Sequence, residues 1–191
     1  MAPEYKTSQA EILDTALQLV REGGLSNVTA REIGRRLHLS SRPIYSFYPS
    51  MADLKKEVLA QIKFLYQQEL SVRTSDDSFL NMGLGAVRFA RRESVLYRVM
   101  QENMERGGFD ANLVSKSLLM KLKTDSPYVD LPEERLEDIL KKMAIFTFGL
   151  AEVVVRGMLS DNSDQAVTSL IYETGEAVIR YAYLNRQEEN R

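Results

Sequence analysis

The chain of 191 residues contains no cysteine and only one histidine, His38. Disulfide scaffolds, thiolate zinc sites, iron–sulfur clusters and cysteine nucleophiles are all excluded by that absence. A lone imidazole leaves soft metals almost without ligands, so no metal site is expected. No run approaches the ~18 uninterrupted apolar residues of a membrane span. The opening residues, MAPEYKTSQAE, lack the apolar core of a secretory signal. The expectation is a soluble, cytoplasmic protein without membrane contact. An excess of one charge is also missing: 25 Lys and Arg stand against 27 Asp and Glu, for a net charge of −2. That argues against a uniformly basic coat. The apolar fraction of 44% matches ordinary folded proteins and excludes a mainly disordered chain.

Period-two alternation is absent as well, whereas apolar spacings of three and four recur from end to end, so every element is expected to be a helix. Ile12, Ala16, Leu17, Leu19 and Val20 form one stripe between Ser8 and Glu22, and Gly23-Gly24 stops it. Thr29-Ala30-Arg31-Glu32 spells a capping box, with hydroxyl and carboxylate expected to satisfy orphan amides reciprocally. It opens a short helix with Ile33 and Leu37 inward. After a His38-Leu39-Ser40 turn, a second short helix is expected from about Ser41 to Tyr48, with Pro43 in its first turn. Ser50 and Asp53 start a long helix bearing Leu54, Val58, Ile62 and Leu65. Further helices are expected over Phe79–Ala90, Ser94–Met104, Leu113–Leu122, Glu133–Leu159 and Ser163–Asn185, before a frayed tail from Gln187.

Catalytic signatures are lacking. Gly83-Leu84-Gly85 is a fragment of a dinucleotide fingerprint without its third glycine or a preceding strand. There is no P-loop, no Gly-x-Ser-x-Gly elbow and no second histidine, and the Asp76-Asp77 and Asp161–Asp164 segments do not follow calcium-loop spacing. No enzyme and no cofactor are expected.

The informative stretch is Thr29 to Leu54. Two short helices joined by a turn of roughly three or four residues make a helix-turn-helix, whose second helix enters the DNA major groove. Charge agrees with that reading. Arg31, Arg35, Arg36 and Arg42 against Glu32 alone give Arg31–Tyr48 a net charge of +3, so the rest of the chain carries −5. The candidate DNA-binding residues are Thr29, Arg31, Ser41, Arg42, Pro43, Tyr45, Ser46, Phe47 and Lys55. Arg42 heads the second helix, where recognition residues meet bases. Ser41, Pro43 and Ser46 are expected on its outward face, with Pro43 meeting a thymine methyl. Tyr45 is placed outward toward phosphate and Tyr48 inward. Thr29 is a cap first and a phosphate contact second. Arg35 and Arg36 fit a solvated face and a phosphate contact equally well. Ile33, Leu37, Leu39 and Ile44 are assigned to the core. An adaptor that keeps this fold but binds protein rather than DNA is the alternative; Arg42 and the basic window speak against it.

The longer pattern over residues 8–54 resembles the TetR family of bacterial transcriptional regulators. An apolar helix ending in Gly is followed by Thr29-x-x-Glu32-Ile33-Gly34-x-x-Leu37-x-Leu39-Ser40, then Pro43-Ile44-Tyr45-x-Phe47-Tyr48-Pro49-Ser50-Met51-x-x-Leu54. This covers about a quarter of the chain. His38 stands where the family commonly has a left-handed Gly, and Gly34 where Ala is usual, loosening the helix by up to about 1 kcal/mol. Met51 replaces a Lys that contacts phosphate, leaving Lys55 or Lys56, one turn along, to take that contact.

The resemblance implies an all-α protein with two parts: a three-helix DNA-binding domain over 1–50, then a larger effector-binding and dimerisation domain over 51–191. Two features of the sequence support a homodimer. Met143–Ala151 is apolar around nearly its whole circumference, and Val167, Leu170, Ile171, Ala177, Val178, Tyr181, Ala182 and Leu184 exceed one stripe. Phe148, Gly149, Val153, Leu170, Val178 and Tyr181 are therefore the interface candidates, in a two-fold arrangement. The resemblance further implies a pocket for a small-molecule effector, for which Phe89, Tyr97, Met100, Met104, Met120 and Phe146 are the candidate walls; read from residues alone, they are equally core. Arg88, Arg91, Arg92 or Arg98 would meet a ligand carboxylate. The function implied is a dimeric repressor that reads a palindromic operator and is released by an effector.

Overall fold

The computed structural model describes residues 7–104, 119–120, 123 and 131–189, with side chains described as far as Leu184. The described residues form eight helices and no strand: α1 (Gln9–Gly23), α2 (Ala30–Leu37), α3 (Arg42–Phe47), α4 (Met51–Leu70), α5 (Ser78–Arg92), α6 (Ser94–Glu102), α7 (Glu133–Val155) and α8 (Asp164–Glu189). A 3-10 turn, Leu25–Asn27, separates α1 from α2. The expected helix over Leu113–Leu122 lies outside the described residues except at 119–120. No helix among them is long and apolar enough to cross a membrane.

By contact, the chain divides into two compact units, 1–65 with 93–103 and 66–92 with 104–191. Sequence reading placed the domain boundary at 50/51. Compactness divides the chain inside α4 instead, because Leu54, Val58 and Ile62 bury completely in its first-unit portion, and α6 returns to that unit.

In the first unit, α1 starts with a complete capping box. The Ser8 amide donates to Glu11 Oε2 (2.8 Å) and the Glu11 amide to Ser8 Oγ (3.2 Å). The helix stops where Gly24 turns to φ 82° and its N–H reaches the Val20 carbonyl at 2.7 Å. At α2, the Glu32 amide donates to Thr29 Oγ1 at 3.2 Å, but the Glu32 carboxylate turns to Arg35 and Arg36. The reciprocal capping expected at Thr29 is therefore only half made.

The second unit packs α5 against α7 and α8. Buried residues line α5 almost all round: Phe79, Asn81, Met82, Ala86, Val87, Phe89 and Ala90. Gly83 and Gly85 let neighbours approach, since a Cβ would lie 2.7 Å from Ile171 Cγ2 and 2.4 Å from the Glu69 carbonyl oxygen. That packing role explains the glycine pair. Asn81 organises the loop before α5, accepting from the Thr74 and Ser75 amides at 2.9 Å each and donating to the Ser75 carbonyl at 2.7 Å. The α7 helix ends four residues before the expected Leu159, where Gly157 adopts φ 63°; α8 runs to Glu189, past the expected Asn185.

Candidate nucleic-acid interface

The site is built on the sharp reversal between α2 and α3. His38 takes the left-handed conformation, φ 55° and ψ 40°. Its N–H points to the Arg35 carbonyl (3.4 Å), and the Leu39 N–H to the Gly34 carbonyl (2.8 Å). This bond pair is a Schellman closure, which normally uses glycine at the left-handed position. The turn also brings the Leu39 carbonyl to where a side chain on Gly34 would begin, 2.7 Å from an ideal Cβ. Gly34 is thus required by the reversal, where sequence reading saw only a loosened helix.

Ile33 of α2 and Ile44 of α3 are both fully buried. Leu37 and Leu39, which flank the reversal, are half-buried rather than core as expected. Helical spacing places residues 42, 45 and 46 on one face of α3. Arg42 and Ser46 are exposed, and Tyr45 is 51% exposed. The Ser46 hydroxyl donates back to the Arg42 carbonyl at 3.3 Å. Pro43 corrects the expectation: it is buried, a quarter-turn round from Arg42 on the side of half-buried Phe47, and cannot offer its ring to a thymine methyl. Ser41 is half-buried. Tyr48 faces inward at 3% exposure, as expected; burial pushes its hydroxyl up to about 12.

Ion pairing separates the four arginines into two classes. Arg35 is held by Glu32 (Nε–Oε1 3.1 Å). Arg36 forks onto Glu22 of α1, with one leg at 2.7 Å, and lies 3.6 Å from Glu32. These contacts hold the carboxyls of Glu22 and Glu32 below the usual carboxylate range. Arg31 and Arg42 are exposed and make no ion pair among the described residues. Half-buried Lys55 and exposed Lys56, in the first two turns of α4, are likewise unpaired there. Thr29 is exposed at the start of α2.

Residues 12–58, which run through that arrangement from α1 into α4, match the family of bacterial regulatory proteins called the tetR family. The N-terminal domain is a tetR-family domain. The likeness in fold extends beyond that segment. A tetR-family transcriptional regulator from Streptomyces coelicolor is similar with a TM-score of 0.62 at 14% identity, covering 92% of this chain and 87% of that one. A TetR transcriptional regulator from Rhodococcus sp. RHA1 gives 0.55 at 18% identity over 90% and 96% of the two chains. A putative tetR family transcription regulator from Shewanella sp. PV-4 gives 0.50 at 15% identity over 89% and 96%. No curated protein matches the chain.

In this tetR-like fold the candidate effector residues do not share one unit. Tyr97 and Met100 are buried on α6, in the first unit, while Phe89, Met104, Met120 and Phe146 belong to the second. Phe89 packs edge-on against Tyr66, ring centroids 5.4 Å apart, and burial pushes the Tyr66 hydroxyl up to about 12. Met120 is 69% exposed, so it walls no enclosed cavity among the described residues. The arginines proposed to meet a ligand carboxylate are mostly engaged. Arg88 pairs with Glu69, Arg91 with Asp164 and the Asn162 side chain, and Arg92 lies 3.7 Å from Glu69. Only Arg98 is loosely held, 4.0 Å from Glu102. A shallow hollow open to solvent lies instead between the start of α5 and α8, over Phe79, Leu80, Ile171 and Ile179.

The dimer candidates lie on α7 and α8. Gly149 is exposed, Leu170 and Tyr181 are 38% and 57% exposed, and Phe148, Val153 and Val178 are half-buried. Ile145, Met158 and Leu184, which are not among the six interface candidates, are more than half exposed on the same two helices and the loop between them.

Proposed function

We propose that this protein is a dimeric, effector-responsive transcriptional regulator, most simply a repressor that reads a palindromic operator. The observation that carries this reading is the split among the basic residues of the helix-turn-helix. Arg35 and Arg36 neutralise acids of their own unit, whereas Arg31 and Arg42, with Tyr45 and Lys55, on α2, α3 and α4, remain exposed or half-exposed and without a charged partner among the described residues. An outward cation without an internal partner is what a phosphate or a guanine edge requires. The face of α3 carries no acid, which favours duplex over a basic protein partner.

Two copies would meet through α7 and α8. Gly149 supports this: it is exposed in the middle of a 23-residue helix with no atom within 4 Å of an added Cβ. A mid-helix glycine costs about 1 kcal/mol relative to alanine, and close approach of a second helix would justify keeping it. A two-fold pair of heads reads half-sites one or more helical turns apart. The effector would act by favouring the state with lower operator affinity.

Fluorescence anisotropy on labelled duplex tests the reading. Affinity is expected to fall steeply with salt, with a slope of about −0.9 per phosphate neutralised. A flat titration contradicts it.

A further inference from the structure

We infer that Arg42 reads a guanine in each operator half-site through its fork of N–H donors, whereas Arg31 touches only the DNA backbone. The inference rests on the DNA-binding reading above and deepens it by naming the base chemistry that α3 recognises.

The six residues of α3, Arg42–Phe47, leave little choice of reader. Pro43 and Ile44 are buried. Arg42, Tyr45 and Ser46 are exposed, and Phe47 is half-buried. In the major groove, the edge of adenine is matched by Asn or Gln, and the amino group of cytosine by a carboxylate. The helix carries none of these. A thymine methyl asks for an apolar partner, and Pro43, the aliphatic ring at the head of the helix, is turned inward. Guanine offers two acceptors, N7 and O6, which a guanidinium meets with two parallel N–H bonds. Arg42 is the one cation of α3, and it stands in the first turn, where a reading helix meets base edges.

The backbone that carries Arg42 is held on several sides. Buried Pro43 and Ile44 follow it, the Ser46 hydroxyl donates to its carbonyl at 3.3 Å, and the Tyr48 N–H donates to the Ile44 carbonyl at 2.9 Å. A fork on a fixed base loses less freedom when it binds. The neighbouring acids are spent elsewhere. Glu22 takes Arg36, Glu32 takes Arg35 and Arg36, Asp53 takes the Ser50 hydroxyl and Glu57 takes the Gln9 amide. No carboxylate among the described residues competes for the Arg42 donors, so both prongs are left for a base. Arg31 is also exposed, but it lies in the first turn of α2, the helix that crosses the backbone in this motif. A contact there adds affinity without sequence preference.

The test uses the full-length protein and a duplex recovered by selection from a random pool, alongside the same duplex with 7-deazaguanine for guanine in both half-sites. That change removes the N7 acceptor and leaves base pairing intact. Recovered half-sites are expected to share a guanine. The parent should bind the 7-deaza duplex about fivefold or more weakly, and Arg42→Ala should bind the two duplexes within about twofold of each other. Arg31→Ala should lose affinity for both and keep the parent's ratio. Arg42→Gln, whose amide matches adenine, should select adenine where the parent selects guanine; it serves if Arg42→Ala does not fold by circular dichroism. Half-sites without a shared guanine, a 7-deaza penalty that survives Arg42→Ala, or an Arg42→Gln variant that still selects guanine overturns the guanine assignment alone. Loss of the penalty in Arg31→Ala overturns the division between the two arginines. A parent protein that retains no duplex overturns the DNA-binding reading and the guanine assignment with it.

Discussion

At Gly34 intrinsic helix preference and chain reversal make opposite demands. Alanine would gain up to about 1 kcal/mol of helix propensity, but its methyl would sit 2.7 Å from the Leu39 carbonyl oxygen, backbone fixed by the Schellman closure. Gly34→Ala should therefore lower stability in urea by about 1–3 kcal/mol; a gain would show that the turn relaxes freely. His38→Gly should raise stability by about 1 kcal/mol, because φ 55° strains every residue with a Cβ. The left-handed position at His38 was implied by the family resemblance. The need for Gly34 was not, because the clash comes from a residue across the reversal. Arginine roles divide in the same way. Arg42→Ala is expected to cost about 1–3 kcal/mol of specific operator binding and to relax specificity. Equal losses on specific and random duplex would reduce Arg42 to a phosphate contact. Arg36→Ala should leave specificity intact, since its guanidinium is committed to Glu22; sequence showed four like charges, and only tertiary structure shows which have partners.

Among the elements, carboxylates help to cap α1 and to join it to α2. Glu22 and Glu32 are held below the ordinary value of 4.5 by hydrogen bonds from Arg36 and Arg35, and Glu11 by the Ser8 amide. A depressed carboxyl contributes stability above its unfolded pKa and loses it as pH falls through the folded one. The urea midpoint should thus hold from neutral pH to about 5 and decline below 4.5. Glu22→Gln should flatten that decline; an acid limb unchanged by it would remove Glu22 from the account. Helix positions were readable because apolar spacing and caps are local. The inward turn of Pro43 was missed because α3 has six residues, too few for periodicity to fix which side faces the core.

For the molecule as a whole, the surplus apolar surface of α7 and α8 was visible in sequence as helices with more than one stripe. Ile145, Leu170, Tyr181 and Leu184 are exposed among the described residues. Light scattering is expected to give a dimer at micromolar concentration, and Ile145→Asp with Tyr181→Asp a monomer; a monomeric parent would contradict two-fold assembly. Sequence could not reveal that α6 packs with the first unit, since nothing local marks a contact 72 residues distant. For the same reason the six candidate pocket residues looked like one set and proved to be distributed over both units.

Selection of bound duplexes from a random DNA pool tests the central claim most directly. Recovered sequences should share two inverted half-sites at a fixed spacing, and Arg42→Ala should blur the base preference within each half. Failure to enrich any sequence, or enrichment of a single asymmetric site indifferent to Arg42, would contradict the assignment of α3 as a reading helix.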